Sequence, residues 1–137
     1  MLRGAFAGAL AACLWAAAEP ALGRLFGTTY SDRRLLQGLV GTTPAGALAL
    51  HACNGAVFGA AFERLGLRGP VRGMVAAQVE NLVLWPGMVV AQGAHPSCRD
   101  GEWPLLFRSG RIFGYEVAGH ALFGALLGSM LRQLPGE

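Results

Sequence analysis

Four apolar segments, each about twenty residues long, constrain what this chain can fold into. They cover residues 4–23, 44–65, 71–94 and 111–134. A helix needs about 20 mostly apolar residues to cross the hydrocarbon core of a bilayer, and each segment meets that length. Backbone polar groups in lipid must form hydrogen bonds within their own segment, so the four segments are predicted to be helices. Transmembrane strands are not indicated, because no segment alternates apolar and polar residues over about ten positions.

The composition favours a membrane protein over a soluble one. Of the 137 residues, 53% are hydrophobic and 14% are charged, whereas a soluble domain carries about 25% charged residues. We therefore predict one all-α domain, 1–137, which is a polytopic four-helix transmembrane bundle in the lipid bilayer. All eleven basic residues are arginines scattered between the apolar segments. Nucleic-acid binding is therefore not expected, since it requires a clustered basic face.

The termini are predicted to lie on the same side of the membrane, because the number of spans is even. The arginines divide almost evenly between the two sides, so the positive-inside rule gives no orientation. The short basic segment 66–70 favours termini inside. The N-terminal segment also has features of a cleaved signal peptide, since Arg3 precedes an apolar stretch that ends in alanines before Glu19. Cleavage stays open as an alternative to a permanent first helix.

Small residues recur at helical spacing in the apolar segments. Three pairs lie four positions apart: Gly4 and Gly8, Gly55 and Gly59, and Gly124 and Gly128. Small residues at this spacing let helix backbones approach closely where lipid supplies no hydrophobic drive. They predict either packing within one bundle or an interface in a homo-oligomer or a larger membrane complex.

Polar side chains inside the apolar segments form the candidate site. They are Glu19, His51, Asn54, Glu80, Asn81, Glu116 and His120. An ionised group near the bilayer centre costs about 2.5–3.5 kcal/mol, so these groups are expected to be paired, neutral, interfacial or in a wet cavity. His51 and His120 are predicted to lie at similar depth, and Glu116 shares the helix face of His120. The sequence therefore predicts one polar cluster in the half of the membrane nearer segments 26–43 and 95–110.

Several interpretations of this cluster stay open. It either holds the bundle together by interhelical hydrogen bonds, or forms a hydrated pocket for protons or a small polar solute. In the second case Glu19 and Glu116 accept protons, and His51 and His120 titrate with them. A third interpretation is ligation of haem b or a transition metal by His51 and His120, whose matching depth suits two axial imidazoles. Otherwise no cofactor is expected, and an enzyme is not expected because no nucleophile–base pair is recognisable.

The segments between the predicted helices carry three further expectations. Segment 26–43 is expected to be a loop that contains Asp32, with its apolar part 35–40 at the membrane interface. His95 is expected to be a solvated residue of a long polar loop. Pro86 is expected to kink the third helix.

Three motifs in the chain resemble those of a known family. They are Gly4-Ala-Phe-Ala-Gly8 with Trp15-Ala-Ala-Ala-Glu19-Pro20, then His51, then Tyr115-Glu116-Val117-Ala118-Gly119-His120. In this order they resemble the YagU-like bacterial inner-membrane proteins, a family of unknown biochemical function. The resemblance implies a small helical protein of the bacterial inner membrane with an envelope or acid-stress role. It also implies that Glu19, His51, Glu116 and His120 are the shared polar positions.

Overall fold

The computed structural model describes residues 1–133, which fold into helices and contain no strand. The helices are α1 (Leu2–Phe26), α2 (Asp32–Val40), α3 (Pro44–Arg64), α4 (Pro70–Leu84), α5 (Met88–Ala94), α6 (Pro96–Arg99) and α7 (Gly110–Gln133). Two 3-10 turns, Trp85–Gly87 and Leu106–Arg108, lie between them. The predicted end of the last helix at residue 134 lies outside the described residues.

Three helices are long and apolar enough to cross a membrane. They are α1, α3 and the continuous run Pro70–Ala94, which α4 and α5 form together. The prediction of an all-helical membrane protein is therefore confirmed at this level. The fourth predicted span corresponds to α7, which has 24 residues but is not one of the three. Glu116 and His120 on its buried face make it less apolar than the others.

The third span is interrupted at Pro86. Trp85–Gly87 forms a 3-10 turn between α4 and α5. Proline lacks an N–H and its ring clashes with the carbonyl four residues earlier, which disturbs regular α-helical hydrogen bonding. The helix changes to 3-10 geometry at the expected position, and the kink itself stays a prediction.

The span helices pack as two glycine-lined pairs. In the first pair, a Cβ on Gly8 of α1 would collide with the backbone of Gly55 in α3. In the second pair, a Cβ on Gly124 of α7 would collide with the backbone of Gly73 in α4. Contacts between α1 and α7 join the two pairs. Of the two roles predicted for these glycines, packing within the chain is confirmed.

Segment 26–43 is not the loop that we expected, because it contains α2. Gly27 ends α1 in the left-handed region, with φ 60°, a conformation that glycine adopts without strain. The Ser31 hydroxyl then accepts a hydrogen bond from the backbone N–H of Arg34, which caps the start of α2. The chain thereby turns back, and α2 packs against α3.

His95 is buried rather than solvated, which corrects the expectation for this residue. It is 3% exposed, and its ring stacks on Trp103 with 4.4 Å between the centroids. Its Nδ1 accepts from the backbone N–H of Ser97 at 3.1 Å, so Nε2 carries the proton and donates to the Arg34 carbonyl at 3.0 Å. His95 therefore ties the segment between α5 and α7 to α2.

Candidate functional site

Both histidines of the predicted cluster pack against one tryptophan. The ring of Trp15 in α1 lies 5.0 Å from that of His51 and 4.9 Å from that of His120, measured between centroids. Gly119 makes room for the indole, because a Cβ there would collide with it. Trp15 thus brings the imidazoles of α3 and α7 into one region of the bundle.

Each imidazole is oriented by a backbone carbonyl. Nδ1 of His120 lies 2.8 Å from the Glu116 carbonyl oxygen, one helical turn away. His51 forms its hydrogen bond to the backbone of Ala12, and its Nε2 has no partner among residues 1–133. A neutral histidine that donates from Nδ1 keeps a lone pair on Nε2. His51 is 6% exposed, so it presents a buried hydrogen-bond acceptor.

Glu19 is neutralised by an arginine that the sequence did not place in the cluster. Its Oε2 lies 2.5 Å from Nε of Arg33, and its Oε1 accepts from the Arg33 backbone N–H at 3.2 Å. The Glu19 side chain is 2% exposed and that of Arg33 is 35% exposed. A buried carboxylate without a partner is destabilising by several kcal/mol. The start of α2 therefore supplies the charge that allows Glu19 to be buried.

Glu116 is the centre of the buried network. Its Oε1 accepts a hydrogen bond from the Tyr30 hydroxyl, and its Oε2 lies 3.4 Å from Nδ1 of His120. Its carboxyl group is also within hydrogen-bonding distance of the Asp32 carboxyl group. Residues from α2 and from the segment before it thus converge on a glutamate of α7.

The segment between α1 and α3 supplies protonated groups to this network. Burial, and next the Glu116 carboxylate, raise the pKa of Tyr30 well above its ordinary value, so its hydroxyl remains a donor. Burial and the neighbouring Glu116 and Glu19 carboxylates also raise the pKa of Asp32 well above its ordinary value. Two carboxyl groups this close cannot both ionise readily, so Asp32 is kept protonated beside Glu116.

The α4 side of the cluster forms two further contacts. Glu80 forms a hydrogen bond to Asn54, which links α4 to α3. Gln78 donates from Nε2 to the Val117 carbonyl in α7 at 2.7 Å, and Asn81 donates to Gln78 Oε1 at 3.4 Å. All the helices that carry predicted site residues are therefore joined by polar contacts.

A cavity of about 450 Å³ lies inside the bundle beside these groups. Its polar lining comprises Asp32, His51, Asn54, Glu80, Asn81, Glu116 and His120. Six of the seven predicted site residues therefore line it, and Glu19 lines a neighbouring cavity with Arg33 instead. Its apolar lining includes Val40, Leu50 and Leu84, which are 60%, 41% and 59% exposed and so mark its rim.

Three side chains that line this cavity carry buried polar atoms without a protein partner in the described part of the chain. They are Nε1 of Trp15, Oδ2 of Asp32 and Nε2 of His51. Leaving a buried polar atom unsatisfied costs about 1–3 kcal/mol. Unmet donors and acceptors around one cavity are typical of a site that binds a polar group.

The described residues offer no ready-made metal site. Within residues 1–133, no three His, Cys, Asp or Glu side chains are grouped so that they could hold a metal ion. His51 and His120 both pack on the indole of Trp15, and Nδ1 of His120 faces a backbone carbonyl. Ligation of haem or a transition metal by this pair stays a prediction.

Sequence reasoning missed Tyr30, Asp32 and Arg33, although one signal for Asp32 was present. Asp32 precedes Leu35, Leu36 and Leu39 at spacings of three, four and seven residues, which place all four on one helix face. An acid on the apolar face of a short helix indicates a buried carboxylate. No comparable signal marks Tyr30 or Arg33.

The chain was compared with protein-family models, curated proteins and solved structures, and nothing matched. The resemblance to YagU-like proteins therefore stays a prediction.

Proposed function

We propose that this is a non-enzymatic integral membrane protein that binds protons and a small solute in the cavity beside Glu116 and His120. The cavity itself carries the proposal, because it combines unpartnered buried polar atoms with the protonated carboxyl group of Asp32. A polar network that only held the bundle together would be expected to satisfy its own donors and acceptors. The polar network around this cavity leaves several of them unmet.

The proposal includes α7 as a fourth transmembrane span, with both termini on one side. At 1.5 Å per residue, its 24 residues extend about 36 Å, which exceeds the roughly 30 Å of a hydrocarbon core. Its polar side chains contact α1 and the segment before α2, so they need not face lipid. Intramembrane Glu and His residues that face a bundle interior usually mark a functional site. The bacterial inner membrane is the location that the family resemblance implies.

The groups that bind protons form one network, because several of them contact Glu116. Glu116 contacts Tyr30, Asp32 and His120 directly and acts electrostatically on His51. Groups coupled in this way do not titrate independently, since each proton lost changes the affinity of the others. Coupled titration is therefore the property that distinguishes this function from a passive structural network.

The test is a pH titration of the three histidines, His51, His95 and His120. Protein labelled with ¹⁵N-histidine in lipid nanodiscs is followed by NMR, and each signal is assigned by a His→Gln substitution. In Glu116→Gln we expect changed titration midpoints for both His120 and His51. His95, which stacks on Trp103 between α5 and α7, provides the reference signal.

Glu63→Gln is the matched control, because Glu63 accepts from the backbone N–H of Gly4 at the other end of the bundle. It should leave all three histidine curves unchanged. Curves for His51 and His120 that are identical in wild type and Glu116→Gln would refute the coupled network.

A further inference from the structure

The cavity beside Glu116 is lined by more acids than bases. Three carboxyl groups line it, those of Asp32, Glu80 and Glu116. Among the described residues, its lining includes no arginine. Arg33 is bound to Glu19 and lines the neighbouring cavity. His120 is paired with Glu116, so a ligand of this cavity still meets the carboxyl groups of Asp32 and Glu80.

Two of its buried atoms await a hydrogen-bond donor. Oδ2 of Asp32 is an acceptor, and Nε2 of His51 carries a lone pair, because Nδ1 of His51 is bound to the Ala12 backbone. Both belong to side chains that line the same cavity. A ligand that satisfies both must donate at least two hydrogen bonds.

The remaining lining is apolar and aromatic. Trp15, Trp85 and Phe123 contribute rings, and Leu50 and Leu84 form part of the exposed rim. Aromatic faces attract cations, most strongly where water is excluded. An apolar group on the ligand would be accommodated at the rim, which faces the membrane if α3 and α4 are spans.

We propose that the solute is a lipophilic amine bound as its ammonium ion, with N–H groups that donate to Asp32 and His51. This inference depends on the proposed function, since it names the solute of the same cavity. The acids supply the charge, the two acceptors supply hydrogen bonds, and the rim accommodates the apolar part. A negatively charged solute would be repelled by the acidic lining, and a neutral solute would supply no positive charge to replace the Asp32 proton.

Binding of the ammonium ion displaces the proton of the Asp32 carboxyl group. One positive charge then replaces another, so the charge of the site is unchanged. The groups that face Asp32 are Glu116 from α7, Glu19 from α1 and Glu80 from α4. The hydroxyl groups of Tyr30 and Tyr115 also interact with it, and Arg33 lies beside it on α2. Because protons compete with the amine, affinity should rise with pH by up to about tenfold per unit while the amine stays charged.

The experiment compares 2-phenylethylamine with 2-phenylethanol, which has the same shape but no charge. Each is titrated into the protein in nanodiscs by calorimetry, with empty nanodiscs as the blank. We expect saturable binding of the amine and at least about tenfold weaker binding of the alcohol, since hydrogen bonds to charged groups are the stronger ones. Repeating the titration in buffers of different ionisation enthalpy should reveal release of about one proton per amine.

Asp32→Asn tests the site directly, and its amide still offers a donor to Glu116. We expect it to abolish proton release and the pH dependence and to weaken amine binding about tenfold or more. Glu80→Gln, which keeps a hydrogen-bonding partner for Asn54, should also weaken the amine. Glu102→Gln is the matched control outside the cavity and should bind the amine as wild type does.

Equal affinity for amine and alcohol, or proton release that persists in Asp32→Asn, would overturn the inference. Absence of saturable amine binding would overturn it as well. If the histidine titrations nevertheless stay coupled through Glu116, the proposed function survives and only the identity of the solute is wrong. If the coupling is also absent, both fail.

Discussion

The two ends of the helical bundle are packed by opposite means. At the end that contains Gly4, Gly8 and Gly59, backbones touch without intervening side chains. At the other end, Glu19 and Glu116 are buried against Arg33, Tyr30 and His120. Close approach of helices leaves no space, whereas charged side chains with large partners hold helices apart.

This difference explains where the cavity lies. At the first end, α1 and α3 leave no space between them, because a Cβ on Gly4, Gly8 or Gly59 would collide with the facing backbone. The second end has room for rings and carboxyl groups, and the cavity of about 450 Å³ lies beside them. The glycine-lined end therefore fixes how the helices are arranged, and the polar end contains the groups that can bind protons or a ligand.

The largest expected effect on stability comes from placing a side chain between the helices at the glycine-lined end. Gly8→Leu places a side chain where the Gly55 backbone lies, and overpacking a tight core costs about 1–3 kcal/mol or more. We expect loss of the folded protein or an unfolding free energy lower by at least about 3 kcal/mol. Thermal unfolding in detergent, followed by circular dichroism, measures it.

Gly93→Leu is the matched control for this substitution. Gly93 also lies in a helix, α5, but a Cβ there meets no atom within 4 Å. It should unfold close to wild type. If Gly8→Leu were as stable as Gly93→Leu, the close contact between α1 and α3 would be wrong.

The next effect comes from breaking the ion pair at the polar end. Arg33→Ala leaves the carboxylate of Glu19, which is 2% exposed, without its counter-charge. Breaking a buried pair costs about 3–5 kcal/mol, and the partial exposure of Arg33 places the expected loss near the lower value. Arg68→Ala removes an exposed arginine elsewhere and should change the unfolding free energy by less than about 0.5 kcal/mol.

A second variant separates lost charge from lost packing. Adding Glu19→Gln to Arg33→Ala removes the unpaired carboxylate, and we expect it to restore roughly half of the lost unfolding free energy. No recovery in the double variant would mean that Arg33 stabilises the bundle by packing alone.

The same two ends differ in how far the sequence predicts them. Glycine spacing predicted close helix contacts, because i and i+4 positions share a face whatever the helix contacts. Likewise, the spacing of Glu116 and His120 placed them together. Arg33 and Tyr30 reach the site because the chain turns back after Gly27 and α2 packs against α3. No local sequence pattern determines where α2 packs.

Contacts between residues far apart in the chain also explain why the prediction of a solvated His95 was wrong. Its surroundings in the sequence are polar, which predicts exposure. The ring is buried because Gly38 of α2 leaves a space that a Cβ would fill and Trp103 stacks on its other side. Each of these contacts joins positions far apart in the chain, so hydropathy alone cannot predict them.

The smallest expected effect concerns an exposed ion pair at the polar end, in which Glu102 lies 2.6 Å from the Arg34 guanidinium. Hydrogen bonds from Arg34, and next from Ser97, hold the pKa of Glu102 below its ordinary value. A lowered pKa means that the pair stabilises the fold at neutral pH and that this contribution is lost as the pH falls through the folded-state pKa. The melting temperature of Glu102→Gln should therefore lie slightly below that of wild type at pH 7, and the two should converge below about pH 4. Asp100→Asn, which removes a second acid of the same segment, serves as the matched control. A gap that stayed constant down to acid pH would mean that Glu102 acts through packing and not through its charge.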